Sequence, residues 1–135
     1  IVLFEGWFVG ARPIDPASFA TAPPPIATEA DRQFAQDMNH NLKDYLPLWD
    51  LLDRLLLLRP KDYRLCRRWR QQAEHSMMAT GRPGMSDETI DQFVEYFWRA
   101  LHPLLFVEPL SANTELVDLV VEIRPDHTPT DVYSP

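Results

Sequence analysis

Glycine is scarce in this chain. Its 135 residues include four, Gly6, Gly10, Gly81 and Gly84, and no set of them has the spacing of a G-x-x-x-x-G-K-[ST] phosphate loop or a G-x-G-x-x-G dinucleotide turn. Cysteine is scarcer still. Cys66 stands alone, which excludes an internal disulfide and a multi-cysteine zinc site and makes a reducing, cytoplasmic setting the expectation. Positive charge is also short: 13 Lys and Arg against 20 Asp and Glu leave a net charge of −7 and a pI near 4.9. That balance argues against general binding to nucleic acid or to an anionic membrane. No apolar run approaches the roughly 20 residues of a membrane span.

The chain is rich in proline, with thirteen, and its 45% hydrophobic content is that of a globular protein. Its length fits a single domain, residues 1–135, large enough to bury a core. Ile1-Val2-Leu3-Phe4 is apolar on both faces and reads as a central strand of a covered parallel sheet. An opening in mid-strand leads us to expect a fragment whose neighbouring strands lie outside this sequence. Residues 11–27 carry Pro13, Pro16 and Pro23-Pro24-Pro25 and read as an extended loop without elements. Thr28 caps a helix with Glu29 and Asp31 in its first turn, and Phe34, Met38, Leu42 and Tyr45 form its apolar stripe. Pro47 bends or ends that helix. Residues 48–58 are leucine-rich, and periodicity leaves helix and strand equally open there.

Residues 62–80 read as an amphipathic helix, followed by a turn at Gly81-Arg82-Pro83-Gly84. Ser86 starts another helix, whose stripe is Ile90, Phe93, Val94, Phe97 and Leu101, and Pro103 stops it. Residues 117–123 form a second β-rich run, and residues 124–135 a polar, proline-punctuated tail. Helices alternating with apolar strands predict an α/β layered fold with a mainly parallel sheet.

The densest charge lies at residues 59–70. Arg59, Lys61, Arg64, Arg67, Arg68 and Arg70 face Asp62 alone, a local +5 inside an acidic chain. Guanidinium forks match phosphate and carboxylate oxygens, so this segment reads either as an anion site or as a solvated helix face paired with acids such as Glu74. Glu5 follows the apolar run directly, at a strand's carboxyl end, where Mg²⁺ chemistry occurs in open α/β sheets. Capping of a loop amide is its bland alternative. Asn41 falls on the Phe34/Met38/Tyr45 side of its helix and needs a polar partner there, either backbone or a hydroxylated substrate. The amides of Gly84-Met85-Ser86-Asp87 open a helix and either hold an anion or simply cap it. Cys66 reads as core, the four histidines have no metal-ligand spacing, and Trp7 lines either a pocket or the core.

Phe4-Glu5-Gly6-Trp7, Asn39-His40-Asn41-Leu42, Trp49-Asp50, Arg68-Trp69-Arg70-Gln71-Gln72-Ala73-Glu74 and Gly84-Met85-Ser86-Asp87-Glu88 together resemble the plant and cyanobacterial D-glycerate 3-kinase family, over residues 1 to about 123. The resemblance implies a three-layer P-loop-kinase-like fold and transfer of phosphate from ATP, with Mg²⁺, to the 3-hydroxyl of D-glycerate. It makes residues 54–58 a strand and residues 61–80 a lid helix. Arg68 and Arg70 are then the catalytic arginines at the phosphoryl group, Arg64 and Arg67 contact ATP, and Glu5 orients the Mg²⁺. Trp7, Asn39 and Asn41 stand near the substrate. The family's upstream phosphate loop is missing here, so the resemblance is to a C-terminal portion, expected to be inactive alone and to self-associate through its N-terminal strand. The alternatives are a non-catalytic anion- or partner-binding module and a P-loop kinase for another small hydroxylated substrate.

Overall fold

The computed structural model describes residues 1–135. Thr28 opens the first long helix with a capping box. Its hydroxyl accepts from Asp31 N at 3.1 Å while Asp31 Oδ2 accepts from Thr28 N at 3.0 Å, and α1 runs Glu29–Asn41. The Thr28 backbone N–H, more than any other group, holds the Asp31 carboxyl below the usual carboxylate range.

Prolines begin elements here as often as they end them. Pro16 opens a 3₁₀ helix, Pro16–Thr21, capped by Asp15, in the stretch expected to be free of elements, and its Phe19 is fully buried. Pro47 lies in the first turn of α2, Leu46–Trp49, which follows α1 through a 3₁₀ turn at Leu42–Tyr45. Pro103 opens a helix the sequence reading lacked, α5, Pro103–Ser111. The physical reason is common to all three: the first turn leaves its N–H groups unpaired, so proline's missing donor costs nothing there. Ser86 caps α4, Asp87–Ala100, as expected, and α3 covers Leu65–Met78 within the expected 62–80.

The strands are β1, Leu56–Pro60, β2, Leu119–Ile123, and β3, Pro129–Tyr133, in the order β1-β2-β3. β1 and β2 run parallel, Leu56 opposite Leu119 through Pro60 opposite Ile123, while β3 returns antiparallel to β2. Two expectations are corrected here. The polar tail contains β3, because Asp126 Oδ1 accepts from Thr128 N and Oγ1 and His127 takes a left-handed φ of 66°, folding a hairpin; the sheet is therefore mixed. Ile1–Phe4 is not a strand. It pairs with nothing, and Ile1, Val2 and Leu3 are fully exposed, since β-propensity expresses fit to neighbours that this segment lacks.

One face of the sheet is covered. Leu57, Val120 and Tyr133 pack with Val117 and with Leu110 of α5, and Arg59 fastens α5 to the sheet by ion pairs of 2.6 Å to both Glu108 and Glu122. The other face is bare, with Leu56, Leu58 and Val132 at 52, 62 and 57% exposure. Beyond α5, Phe106 joins Ala11, Phe19, Ile26, Ala35 and Leu42 in the largest core cluster, which seats α1. Ile90, Val94 and Trp98 of α4 form another with Tyr63 and Met85. No helix is long and apolar enough to cross a membrane.

Candidate functional site

β1 leads into the basic segment, and the structure assigns most of its charge to carboxylates. Arg59 is spent on Glu108 and Glu122, and Lys61 stands 4.0 Å from Asp131. Arg64 pairs with Asp62 and covers the Tyr63 ring. Arg67 reaches Glu95 at 3.1 Å and Asp91 at 3.4 Å, with its guanidinium 4.9 Å from the centre of Trp98. Arg70 pairs with Glu74. Arg68 is the exception: it is exposed and makes no ion pair.

The N-terminal half of α3 borders a groove of about 350 Å³ lined by Trp7, Cys66, Trp69, Arg70, Ala73 and Phe93. Trp7 forms one wall. Its ring stacks on Phe8 at 5.2 Å and meets Phe97 at 5.1 Å, yet it stays 46% exposed, so its free edge faces whatever enters. Burial pushes the Cys66 thiol up, which keeps it an unreactive lining group. The floor is held by α4, through Gln71 to Asp91 at 3.2 Å, His75 Nε2 to Asp87 at 2.7 Å, and the Arg67 pairs. On its far side α3 is tied to the β2–β3 turn: Trp69 Nε1 donates to Pro125 O at 3.2 Å, and its ring lies 4.6 Å from that of His127.

Of the residues singled out from sequence, Trp7 and Arg70 meet in this groove, and Glu5 lies two positions from Trp7, exposed and unpartnered. Asn39 and Asn41 do not line it. The helical face was assigned one residue off: Asn41 is exposed, and the buried line is Ala35, Asn39 and Leu42. Asn39, 4% exposed, clamps the proline-rich segment, accepting from Ile14 N at 2.8 Å and donating to Ile14 O at 2.9 Å. Asn39→Ala should cost about 2–4 kcal/mol, because two buried backbone groups lose their partners; urea unfolding measures it. The amides of the Gly84–Asp87 turn are not all free for an anion either, since Met85 N donates to Glu74 Oε2 at 3.1 Å.

As regards Mg²⁺, a hard cation suited by carboxylate oxygens, the chain supplies one free acid near the groove, Glu5. No group of three or more His, Cys, Asp or Glu side chains converges anywhere. A lone carboxylate does not by itself build a metal site.

A mixed three-stranded sheet with an arginine-bearing helix following its edge strand is an α/β fold compatible with that of the P-loop-like kinases. It superposes on the solved D-glycerate 3-kinase of Cryptococcus neoformans with a TM-score of 0.81 at 25% identity, over 98% of this chain and 49% of that one. The chain is a homologue of D-glycerate 3-kinase: it is 31% identical over 133 residues, 96% of its length, to the chloroplastic D-glycerate 3-kinase of Arabidopsis thaliana. It is also 32% identical over 96 residues, 71% of its length, to the uncharacterized kinase mug58 of Schizosaccharomyces pombe. It spans 27% and 35% of these two relatives. No family model matches it.

Proposed function

We propose that this chain is part of a kinase that transfers the γ-phosphoryl group of ATP to the 3-hydroxyl of D-glycerate. The observation that carries the reading is the 31% identity to a D-glycerate 3-kinase across nearly the whole chain. The groove supports it, because it sets Arg70 beside Trp7, and Arg68, two residues earlier on α3, has no carboxylate partner. Phosphoryl transfer depends on positioning and on stabilising charge spread over the phosphate oxygens, and an unpaired guanidinium offers both.

In this reading Arg68 and Arg70 approach the phosphoryl group, and Arg64 and Arg67 stand on the ATP side after exchanging part of their carboxylate pairing for phosphate. Trp7 walls the substrate, with Asn39 and Asn41 on the helix behind. Glu5 would be one carboxylate on the Mg²⁺ side, the other ligands coming from outside these residues. The setting is reducing and cytoplasmic.

Because the chain spans about half of the solved relative and has no phosphate loop, the amides that cradle the β- and γ-phosphates must come from elsewhere in the protein. ADP release should therefore be seen from the whole gene product with D-glycerate, while the 135-residue chain alone turns over nothing. Sedimentation of the same chain should show self-association through its bare sheet face and the exposed Ile1–Phe4 segment. Turnover by the isolated chain, or a whole protein that prefers another small hydroxy acid, would overturn the reading.

A further inference from the structure

Two motifs that stand apart in the sequence, Trp69-Arg70-Gln71-Gln72-Ala73-Glu74 and Gly84-Met85-Ser86-Asp87, bond to each other in the fold. Glu74 is where they join. Its side chain is 6% exposed, on a helix whose basic groups reach solvent and which carries no other acid. A carboxylate is buried at a cost unless charge and hydrogen bonds compensate it. Both are present: the Arg70 guanidinium contacts Oε1, and Met85 N donates to Oε2 at 3.1 Å.

The approach of the turn to Glu74 explains Gly84. Its φ is not positive, so conformational freedom is not the reason. A Cβ there would stand 2.9 Å from Glu74 Oε2 and 2.7 Å from Met78 Cγ, so any side chain would push the carboxylate and the Met78 side chain aside. Arg70 in turn is held between Glu74 and the Phe93 ring, 5.8 Å from its centre, and its remaining N–H donors have no protein acceptor. Five donors in a rigid fork, with one edge fixed, leave the others preset.

We propose that Glu74 is a positioning residue for Arg70: its buried carboxylate, shared between the Arg70 guanidinium and the Met85 amide, fixes the free donors of that guanidinium at the groove beside Trp7. The proposal rests on the reading that the α3 arginines meet a phosphoryl group. It also links the groove to the α3–α4 turn, so a shift at Gly84–Met85 moves Arg70.

Two measurements on the whole gene product test it. One is pyrophosphate affinity, read from the fluorescence of the groove tryptophans Trp7 and Trp69. The other is the Arg70 Nη–H signal in NMR, assigned with R70K, with circular dichroism as the check of fold. E74Q keeps the shape and removes the charge; G84A keeps the charge and displaces the carboxylate. We expect E74Q and R70Q each to weaken pyrophosphate about tenfold, the double variant to be no weaker than R70Q, and G84A to fall between. The Arg70 Nη–H signal should be observed in the parent protein and lost to exchange in E74Q. Unchanged affinity and an unchanged signal in E74Q would overturn the proposal. If the parent protein binds no pyrophosphate while E74Q still loses the Arg70 signal, positioning stands and the phosphoryl reading of α3 falls.

Discussion

Arg68→Ala, made in the whole protein, should lower kcat by about 10²–10³-fold and leave KM for D-glycerate nearly unchanged. Every other cation from Arg59 to Arg70 has a carboxylate within 4.0 Å, so the +5 of that segment is largely neutralised at home. Arg68 keeps its full fork for a ligand. A group that acts on charge developing in the transition state changes kcat, whereas one that binds substrate uniformly changes KM. Arg68→Lys should recover only part of the loss, because an ammonium cannot bind two phosphate oxygens side by side. Arg59→Met is the contrast. It should lower stability, since Glu122 and Glu108 lose their partner, and leave kcat intact. Steady-state ADP release by the three variants separates these outcomes. A normal kcat in Arg68→Ala would remove the residue from the reaction.

The second large effect is on stability below neutral pH. His102 caps α5 and is completely buried. Leu104 N donates to its Nδ1 at 3.2 Å and Nε2 lies 3.2 Å from Pro24 O, so the ring is neutral with its proton on Nε2. Burial first, and Arg64 nearby to a lesser extent, lower its pKa from 6.5 to about 4, against the opposing Pro24 bond. A folded-state value below the unfolded one means that the unfolded chain takes up the proton first. Stability is then unaffected above pH 6.5 and falls as pH drops from 6.5 to 4, by on the order of 3 kcal/mol in all. The carboxylates held low, Asp31, Asp118 and Asp126, titrate below that window. Urea unfolding from pH 7.5 to 4 should show this slope. His102→Asn keeps an acceptor for Leu104 N, so it should be less stable at pH 7 but nearly flat across the window. An equal slope in both proteins would assign the titration to other groups.

What could be read from the sequence is what local chemistry decides. Thr28 and Ser86 cap their helices because the cap and its partner lie within three residues. β1 was open to two readings because a leucine run satisfies both periodicities, and pairing with Leu119–Ile123, sixty residues on, settles it. The prolines misled because proline is as welcome in a helix's first turn as it is unwelcome in its interior. The stripe of α1 puts Asn41 on the inward face, whereas Asn39 is the buried amide. The rotation of α1 is set by the small Ala35 and by the loop that packs on it, and neither shows in the Phe34/Met38/Tyr45 stripe.

The site was partly legible. Trp7 and Arg70 share a groove, but the charge count from Arg59 to Arg70 is blind to Asp91, Glu95, Glu108 and Glu122, acids distant in sequence that pair with Arg59 and Arg67. Glu74 figured only as a surface i+4 partner. Its burial follows from the fold of the Gly84 turn over it, and the one hint was a glycine with no obvious conformational duty.

The most direct measurement is ³¹P NMR of the whole gene product incubated with ATP, Mg²⁺ and D-glycerate. A phosphomonoester coupled to the two protons of carbon 3, growing as ADP appears, is the expected result. ATP left intact, or phosphate found on another hydroxyl or another acceptor only, would contradict a D-glycerate 3-kinase.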